Sequence, residues 1–292
     1  MIETPYQQQL ETEIPHQVDL ALQEDLGGTN ASEGMDVTAE LISEDKIATG
    51  KLLTREDAVI CGIDWFNAVF HKLDPSIEVE WFCQDGDKVR AQEKLCELRG
   101  NARKILTGER TAMNFLQTLS GTATTTARYT AELKGTSCKL LDTRKTIPML
   151  RLAQKYAVYC GGGHNHRIGL FDAFLIKENH IISAGSIEQA VKKARQLDRN
   201  IMVEVEVETF AQLDQALDAA ADVIMLDNFS IDDMRTGVAI NQVHSHTAKI
   251  EASGNVSLET LRDIADTGVD FISVGALTKH IQAVDLSLRL EL

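Results

Sequence analysis

The sequence predicts an α/β protein, with a small mixed α+β layer first and a parallel-sheet unit after it. Three observations carry this. The 292 residues suffice for one large α/β unit or two smaller domains. Before residue 105, short strand-like runs dominate, interrupted by one helical run. From residue 138 a short apolar strand, a polar turn and an amphipathic helix recur in that order, which implies parallel strands with helical crossovers.

In the first part, Ala48–Leu53, Ala58–Cys61, Ile77–Phe82 and Lys94–Leu98 read as strands, with Asp85-Gly86-Asp87 as a turn signal. Ile63–Leu73 reads as a helix whose Trp65, Phe66 and Phe70 share one face and belong to a core. An earlier helix is expected near Pro15–Glu24. Glu109–Leu133 reads as a long helix, because Ala112, Phe115, Leu116, Leu119 and Ala123 recur at helical spacing; Gly121 weakens it locally and Gly135 suits its stop.

In the second part, strands are expected at Lys139–Leu141, Ala173–Ile176, Ile201–Val207, Val223–Leu226, Lys249–Ala252 and Phe271–Val274. Helices are expected at Pro148–Tyr159, Ser186–Leu197, Thr209–Ala220, Ile231–Asn241 and Leu258–Asp266, with Pro148 in a first turn, Gly161 just past an end, and Ser186 and Ser257 as N-caps. Six strands are fewer than the eight of a full barrel, and periodicity alone leaves a short barrel and an open sheet as alternatives.

Composition narrows the function classes. Apolar residues make up 43% and charged residues 25%, as in ordinary globular chains. Lys plus Arg number 29 against 44 Asp plus Glu, a net charge of −15, which repels nucleic acid and anionic lipid. No apolar run is long enough to span a membrane, and the polar N-terminal stretch lacks a secretory pattern, so a cytoplasmic protein is expected. Five scattered cysteines without a CxxC spacing read as reduced thiols.

The chemistry sits where the strands end. The first ends in Asp142-Thr143-Arg144-Lys145 and the second in Lys177-Glu178-Asn179-His180. The third carries Glu204, Glu206 and Glu208 on one parity; the fourth ends in Asp227-Asn228. The fifth ends in Ser253-Gly254-Asn255 and the sixth in Ser273, Val274, Gly275 and Ala276. Parallel strands deliver all these ends to one face, where α/β folds bind ligands. Arg144, Lys145, Arg167 and Lys177 suit several negative charges, since Arg offers a planar fork and Lys a point charge. Glu206 and Asp227 suit Mg²⁺, which takes one or two carboxylates plus substrate oxygens. The glycine-containing ends at 253–255 and 274–276 offer backbone N–H groups to a phosphate. The pattern points to a sugar phosphate bearing pyrophosphate, with a second anion.

Blander readings stand beside these. Gly161-Gly162-Gly163 reads as a helix stop rather than a phosphate loop. His164-x-His166 lacks a third ligand at zinc spacing, and His244-x-His246 reads as solvated. Glu204 or Glu208 reads as structural, since only one Glu need reach the metal. Lys177 as a Schiff-base lysine competes with Lys177 as an anion ligand.

The segments GERTAMNFLQTLSGTAT (108–124), LDTRKTIPMLR (141–151), KYAVYCGGGHNHRIGLFDAFLIKENH (155–180), EVEVE (204–208), LDNF (226–229), EASGNV (251–256) and SVGALTKH (273–280) resemble the successive motifs of the quinolinate phosphoribosyltransferases. The resemblance runs from about residue 20 to 285; Ile147 and Met149 depart from the family's more usual Thr and Gly. It implies an N-terminal α/β sandwich domain (1–115), an incomplete, six- or seven-stranded α/β barrel (116–280), and a C-terminal segment (281–292) packing back towards the sandwich. It implies a homodimer or higher homo-oligomer, in which Arg110 is lent across the interface. Quinolinate would be held by Arg144, His166, Arg167 and Lys177, with Thr143 alongside. Lys145, Glu206 and Asp227 would serve phosphoribosyl pyrophosphate and Mg²⁺, with Ser253, Gly254, Asn255, Val274, Gly275 and Ala276 on the phosphates. The implied catalytic set is Lys145, Lys177, Glu206 and Asp227. A related transferase acting on nicotinate, a Schiff-base aldolase and a non-catalytic binding protein are the competing readings.

Overall fold

A computed structural model describes residues 6–28, 35–198 and 200–291. Residues 1–5, within the stretch read as lacking a leader, and Leu292, the last of the C-terminal segment, lie outside them. In chain order the elements are α1 (Gln7–Leu26), β1 (Ile47–Thr54), β2 (Ala58–Val59), α2 (Ile63–Leu73), β3 (Glu78–Trp81), β4 (Lys88–Val89), β5 (Lys94–Asn101) and α3 (Ala102–Glu132). There follow β6 (Lys139–Leu141), α4 (Arg151–Cys160), β7 (Ala173–Ile176), α5 (Glu178–Ala184), α6 (Ile187–Leu197), β8 (Met202–Val207), α7 (Phe210–Asp218) and β9 (Val223–Asp227). The last are α8 (Ile231–Val243), β10 (Lys249–Ser253), α9 (Leu261–Ala265), β11 (Phe271–Ser273), α10 (Ala276–Lys279) and β12 (Leu286–Glu291).

Compactness divides the chain differently from linear cuts at 115 and 280. One unit comprises residues 1–127, 146–162 and 277–292; the other comprises 128–145 and 163–276.

The first unit is built on an antiparallel sheet in the order β12-β1-β5-β3. β1 buries alternate residues, as a strand with one covered face does. The α2 aromatics expected in a core are there: Trp65, Phe66 and Phe70 are buried, and Phe66 meets Phe70 and Trp81 edge-on at 5.0 and 5.1 Å. Trp65 Nε1 donates to Gln17 Oε1 at 2.7 Å, so the buried indole is satisfied.

The second unit is a six-stranded, all-parallel sheet in the order β6-β11-β10-β9-β8-β7. Among the described residues no strand pairing joins β6 to β7, so the barrel is incomplete. The chain entering β7 partly fills that seam. His164 N donates to Leu140 O at 2.8 Å, Asp142 N donates to His164 O at 3.1 Å, and Leu141 bridges His164 in parallel. On β8, Val203, Val205 and Val207 are buried on one parity, while Glu204 and Glu206 occupy the other. Each such valine contributes about 1.5–3 kcal/mol by leaving water.

Several sequence expectations need correction. The first helix begins at Gln7 and passes through Pro15, because Leu10, Ile14, Val18 and Leu22 form one continuous buried stripe. α3 starts directly after β5, and Asn101 Oδ1 accepts from Lys104 N at 3.2 Å in the manner of an N-cap. Pro148 is not in a helical turn: Met149 at φ 67° interrupts any helix there, so α4 begins at Arg151. Ser257 caps nothing; its N–H donates to Thr260 Oγ1 at 3.1 Å and α9 starts at Leu261. The strands β4 and β12 and the short helices α5 and α10 were not anticipated. Cys61, Cys96, Cys138 and Cys160 are buried and Cys83 is half-buried, all as free thiols. No described helix is long and apolar enough to cross a membrane.

Candidate active site

The C-terminal ends of the parallel strands gather the expected cations and carboxylates into two adjoining clusters. The first lies at the seam. Thr143 and Arg144 follow β6, and the Arg144 Nε is buried with no hydrogen-bond partner. Arg167 donates from Nη1 to Ala173 O, the first carbonyl of β7, at 3.3 Å. Burial first, and the like charge of Arg144 second, push the Arg167 guanidinium down from its ordinary value. Two like-charged guanidiniums near each other, one with an unpaired donor, suit an anion. Arg144, Arg167, Lys177, His180 and Lys193 all line one cavity of about 550 Å³, alongside β7.

The second cluster spans β7, β8 and β9. Lys177 Nζ donates to Glu206 Oε2. Lys177, expected on the dicarboxylate, and Glu206, expected on the sugar and metal side, thus form an ion pair. Asp227 is held above its ordinary carboxylate value by burial and then by Glu206, against the lowering pull of Lys177 and Lys145. Glu206 and Asp227 therefore sit close enough to repel, a fitting pair for a divalent cation. Lys145 reaches the same region along Gly275: a Cβ on Gly275 would lie 2.8 Å from Lys145 Cδ and 3.4 Å from Thr143 Oγ1. The lysine stem thus passes close over the glycine. Val274 N, expected to be open to a ligand, donates to Leu141 O at 2.9 Å and belongs to the sheet; Gly275 and Ala276 follow it.

At the end of β10, the chain bends sharply through Ser253-Gly254-Asn255, with Gly254 at φ 90° and Asn255 at φ 51°. It lies beside Asp227-Asn228, since Asn228 N donates to Ser253 O at 3.1 Å.

His166 points inward rather than to the mouth. Its side chain is 9% exposed, and Nε2 lies 3.0 Å from Glu204 Oε2 and 3.6 Å from Glu251 Oε2. Both Glu204 oxygens and Glu251 Oε1 are buried without an aligned hydrogen-bond partner. Burial first, and Glu204 second, push Glu251 up to about 8. The His166 Nδ1 accepts from Arg167 N at 2.8 Å, and His166 N donates to Asp142 Oδ1 at 3.0 Å. Sequence reasoning supplied no third ligand for His166; strand parity would have found two, since Glu204 and Glu251 lie two residues before Glu206 and Ser253 on the same faces. His164 is exposed and forms no pair with His166. His244 and His246 are half-buried and hydrogen-bonded: His244 Nε2 lies 3.2 Å from Asp218 Oδ1, and His246 Nε2 lies 3.2 Å from Ala221 O.

Arg110 is not part of these clusters. It is exposed on α3, in the other unit.

Residues 122–289 match the family described as quinolinate phosphoribosyl transferase, C-terminal domain, and residues 36–120 match its N-terminal domain. A Nicotiana tabacum protein named quinolinate phosphoribosyltransferase [decarboxylating] 2a, mitochondrial, is 40% identical over 94% of this chain and 81% of its own length. The nicotinate-nucleotide pyrophosphorylase [carboxylating] of Mycobacterium leprae is 37% identical over 92% of this chain and 94% of its own. The solved nicotinate-nucleotide pyrophosphorylase of Francisella tularensis superposes with a TM-score of 0.92 at 49% identity, covering 99% of this chain and 98% of that one.

Proposed function

The chain belongs to the quinolinate phosphoribosyltransferase family and is an enzyme of that class, and from this we propose a Mg²⁺-dependent reaction at the strand-end face. It transfers phosphoribosyl from phosphoribosyl pyrophosphate to quinolinate and releases pyrophosphate and CO₂, leaving nicotinate mononucleotide. The observation that carries the reading is the pair of clusters: two neighbouring guanidiniums with an unsatisfied Arg144 donor, beside two mutually repelling carboxylates.

In this reading Arg144 and Arg167 take the two substrate carboxylates, and Lys177 exchanges Glu206 for one of them. Their placement aims the ring nitrogen at the ribose anomeric carbon. Thr143 donates to Lys145 no bond of its own but accepts one, Lys145 N to Thr143 Oγ1 at 3.1 Å, which fixes the turn that presents Lys145. Lys145 meets the negative charge that grows on the departing pyrophosphate. Ser253, Gly254, Asn255, Gly275 and Ala276 contribute polar groups to the phosphates. Glu206 and Asp227 would hold Mg²⁺, which would supply charge neutralisation to pyrophosphate. The nitrogen lone pair forms the new C–N bond as the C–O bond to pyrophosphate breaks. The nitrogen, now cationic, stabilises the electron pair that stays on the adjacent carbon when its carboxylate departs as CO₂, and that carbon then takes a proton from water.

Arg110 completes the site of a neighbouring chain in a homodimer or larger homo-oligomer, and the enzyme works in the cytoplasm, consistent with its free thiols.

The test mixes purified protein, phosphoribosyl pyrophosphate and quinolinate, with and without Mg²⁺, and follows CO₂ and mononucleotide; nicotinate replaces quinolinate as control. Equimolar CO₂ and nicotinate mononucleotide, only with Mg²⁺ and only from quinolinate, is expected. Mononucleotide from nicotinate without CO₂ would make it the related transferase instead.

A further inference from the structure

Asn228 belongs to none of the groups assigned above, yet it touches two of them. Its Nδ2 donates to Asp227 Oδ2 at 3.0 Å. Its Oδ1 accepts from Asn255 Nδ2 at 3.1 Å, and its backbone N donates to Ser253 O at 3.1 Å. A Cβ on Gly254 would sit 2.3 Å from Asn228 Oδ1 and 2.8 Å from its Cγ, so the amide occupies the space that the missing side chain leaves. Asn228 holds φ 57° and Asn255 φ 51°, a region that asparagine tolerates better than most residues. The neighbouring Phe229 packs edge-on against Phe210 at 5.5 Å, which anchors the turn from the α7 side.

We infer that Asn228 is a positioning residue that sets the Asp227 carboxylate and the Gly254-Asn255 turn as one rigid unit, and so shapes the phosphoribosyl pyrophosphate subsite. The inference rests on the phosphoribosyltransferase reading. One amide does two incompatible jobs for any substitute: it donates to a carboxylate on β9 and accepts from the turn after β10. An aspartate at 228 keeps the shape and the acceptor but loses the donor, and it sets a second negative charge beside Asp227. A glycine removes both bonds without straining the positive φ. Because the unit links the two strand ends, its loss is felt on the sugar-phosphate side and leaves the Arg144–Arg167 cluster intact.

Calorimetric titration of the intact enzyme, in Mg²⁺, with phosphoribosyl pyrophosphate alone and with quinolinate alone tests this. Wild type binding neither ligand would sink the transferase reading itself, and the inference with it. Given wild-type binding, Asn228→Gly and Asn228→Asp should each weaken phosphoribosyl pyrophosphate at least tenfold and leave quinolinate within twofold. Combined with Asn255→Ala, Asn228→Gly should add less than the sum of the two single losses, because both break one linkage. Unchanged phosphoribosyl pyrophosphate binding, equal loss of both ligands, or strictly additive losses would each overturn the positioning role. Should Asn228→Gly not fold, the isosteric Asn228→Asp carries the same two titrations.

Discussion

Strand parity sorts the acidic side chains of the barrel by depth, and depth decides what each can do. Glu206 and Asp227 sit at the strand ends with partial exposure, whereas Glu204 and Glu251 are fully buried. Glu251, raised from 4.5 to about 8, holds a proton in the folded state that the unfolded chain releases above about pH 4.5. Stability from that proton is complete below 4.5 and is lost as pH rises through 8. Glu251→Gln keeps the neutral form at every pH. Its melting temperature should therefore gain on wild type between about pH 5 and pH 9, as thermal scans at the two ends would reveal; a constant difference would mean that Glu251 does not titrate in this range. Arg167→Ala should weaken quinolinate binding by about 1.5–3 kcal/mol, the scale of a hydrogen bond to a charged group. Calorimetry that finds quinolinate affinity unaltered would remove Arg167 from the pocket. Gly254→Ala meets both a φ of 90° and the Asn228 amide, so phosphoribosyl pyrophosphate binding should be lost with little change in far-UV circular dichroism.

At the scale of elements, most of the barrel is legible because each strand is a short apolar run closed by a polar end. β6 and β7 match their expected bounds, and β8 to β11 differ by one residue at an end. The N-cap at Ser186 is as read, with Oγ accepting from Gln189 N at 3.1 Å; Ser186→Ala should cost about 1 kcal/mol in a denaturant titration. What was not legible rests on tertiary contact. α1 overrides Pro15 because its apolar stripe is buried on both sides of the proline. Gly121 looks like a weakness in a long helix, but a Cβ there would lie 2.2 Å from Gln282 O, so close backbone approach selects it. β12, expected only as a segment packing back towards the first domain, becomes a strand by pairing with β1. The site was legible by residue type but not by pairing: Lys177 with Glu206, and His166 with Glu204 and Glu251, follow from strand neighbours distant in sequence.

For the whole molecule, a chain of net charge −15 must bind substrates that are themselves anionic. Local cations solve this at Arg144, whose buried Nε has no hydrogen-bond partner, and at its like-charged neighbour Arg167. At about 0.15 M salt the Debye length is roughly 8 Å, so the distant acidic surface is screened while the cup acts at contact. Arg110 lies in the unit that lacks these clusters and is assigned by resemblance to a neighbouring chain's site. Inactive Arg110→Ala and Lys177→Ala chains, mixed and allowed to exchange, should regain part of the activity in hybrid oligomers; exchange without recovery would place Arg110 in its own chain's site or outside catalysis. The most direct measurement is a crystal structure of the enzyme with quinolinate. It should show one carboxylate on each of Arg144 and Arg167, with Lys177 drawn away from Glu206. Quinolinate bound elsewhere, with Lys177 still on Glu206, would contradict the account.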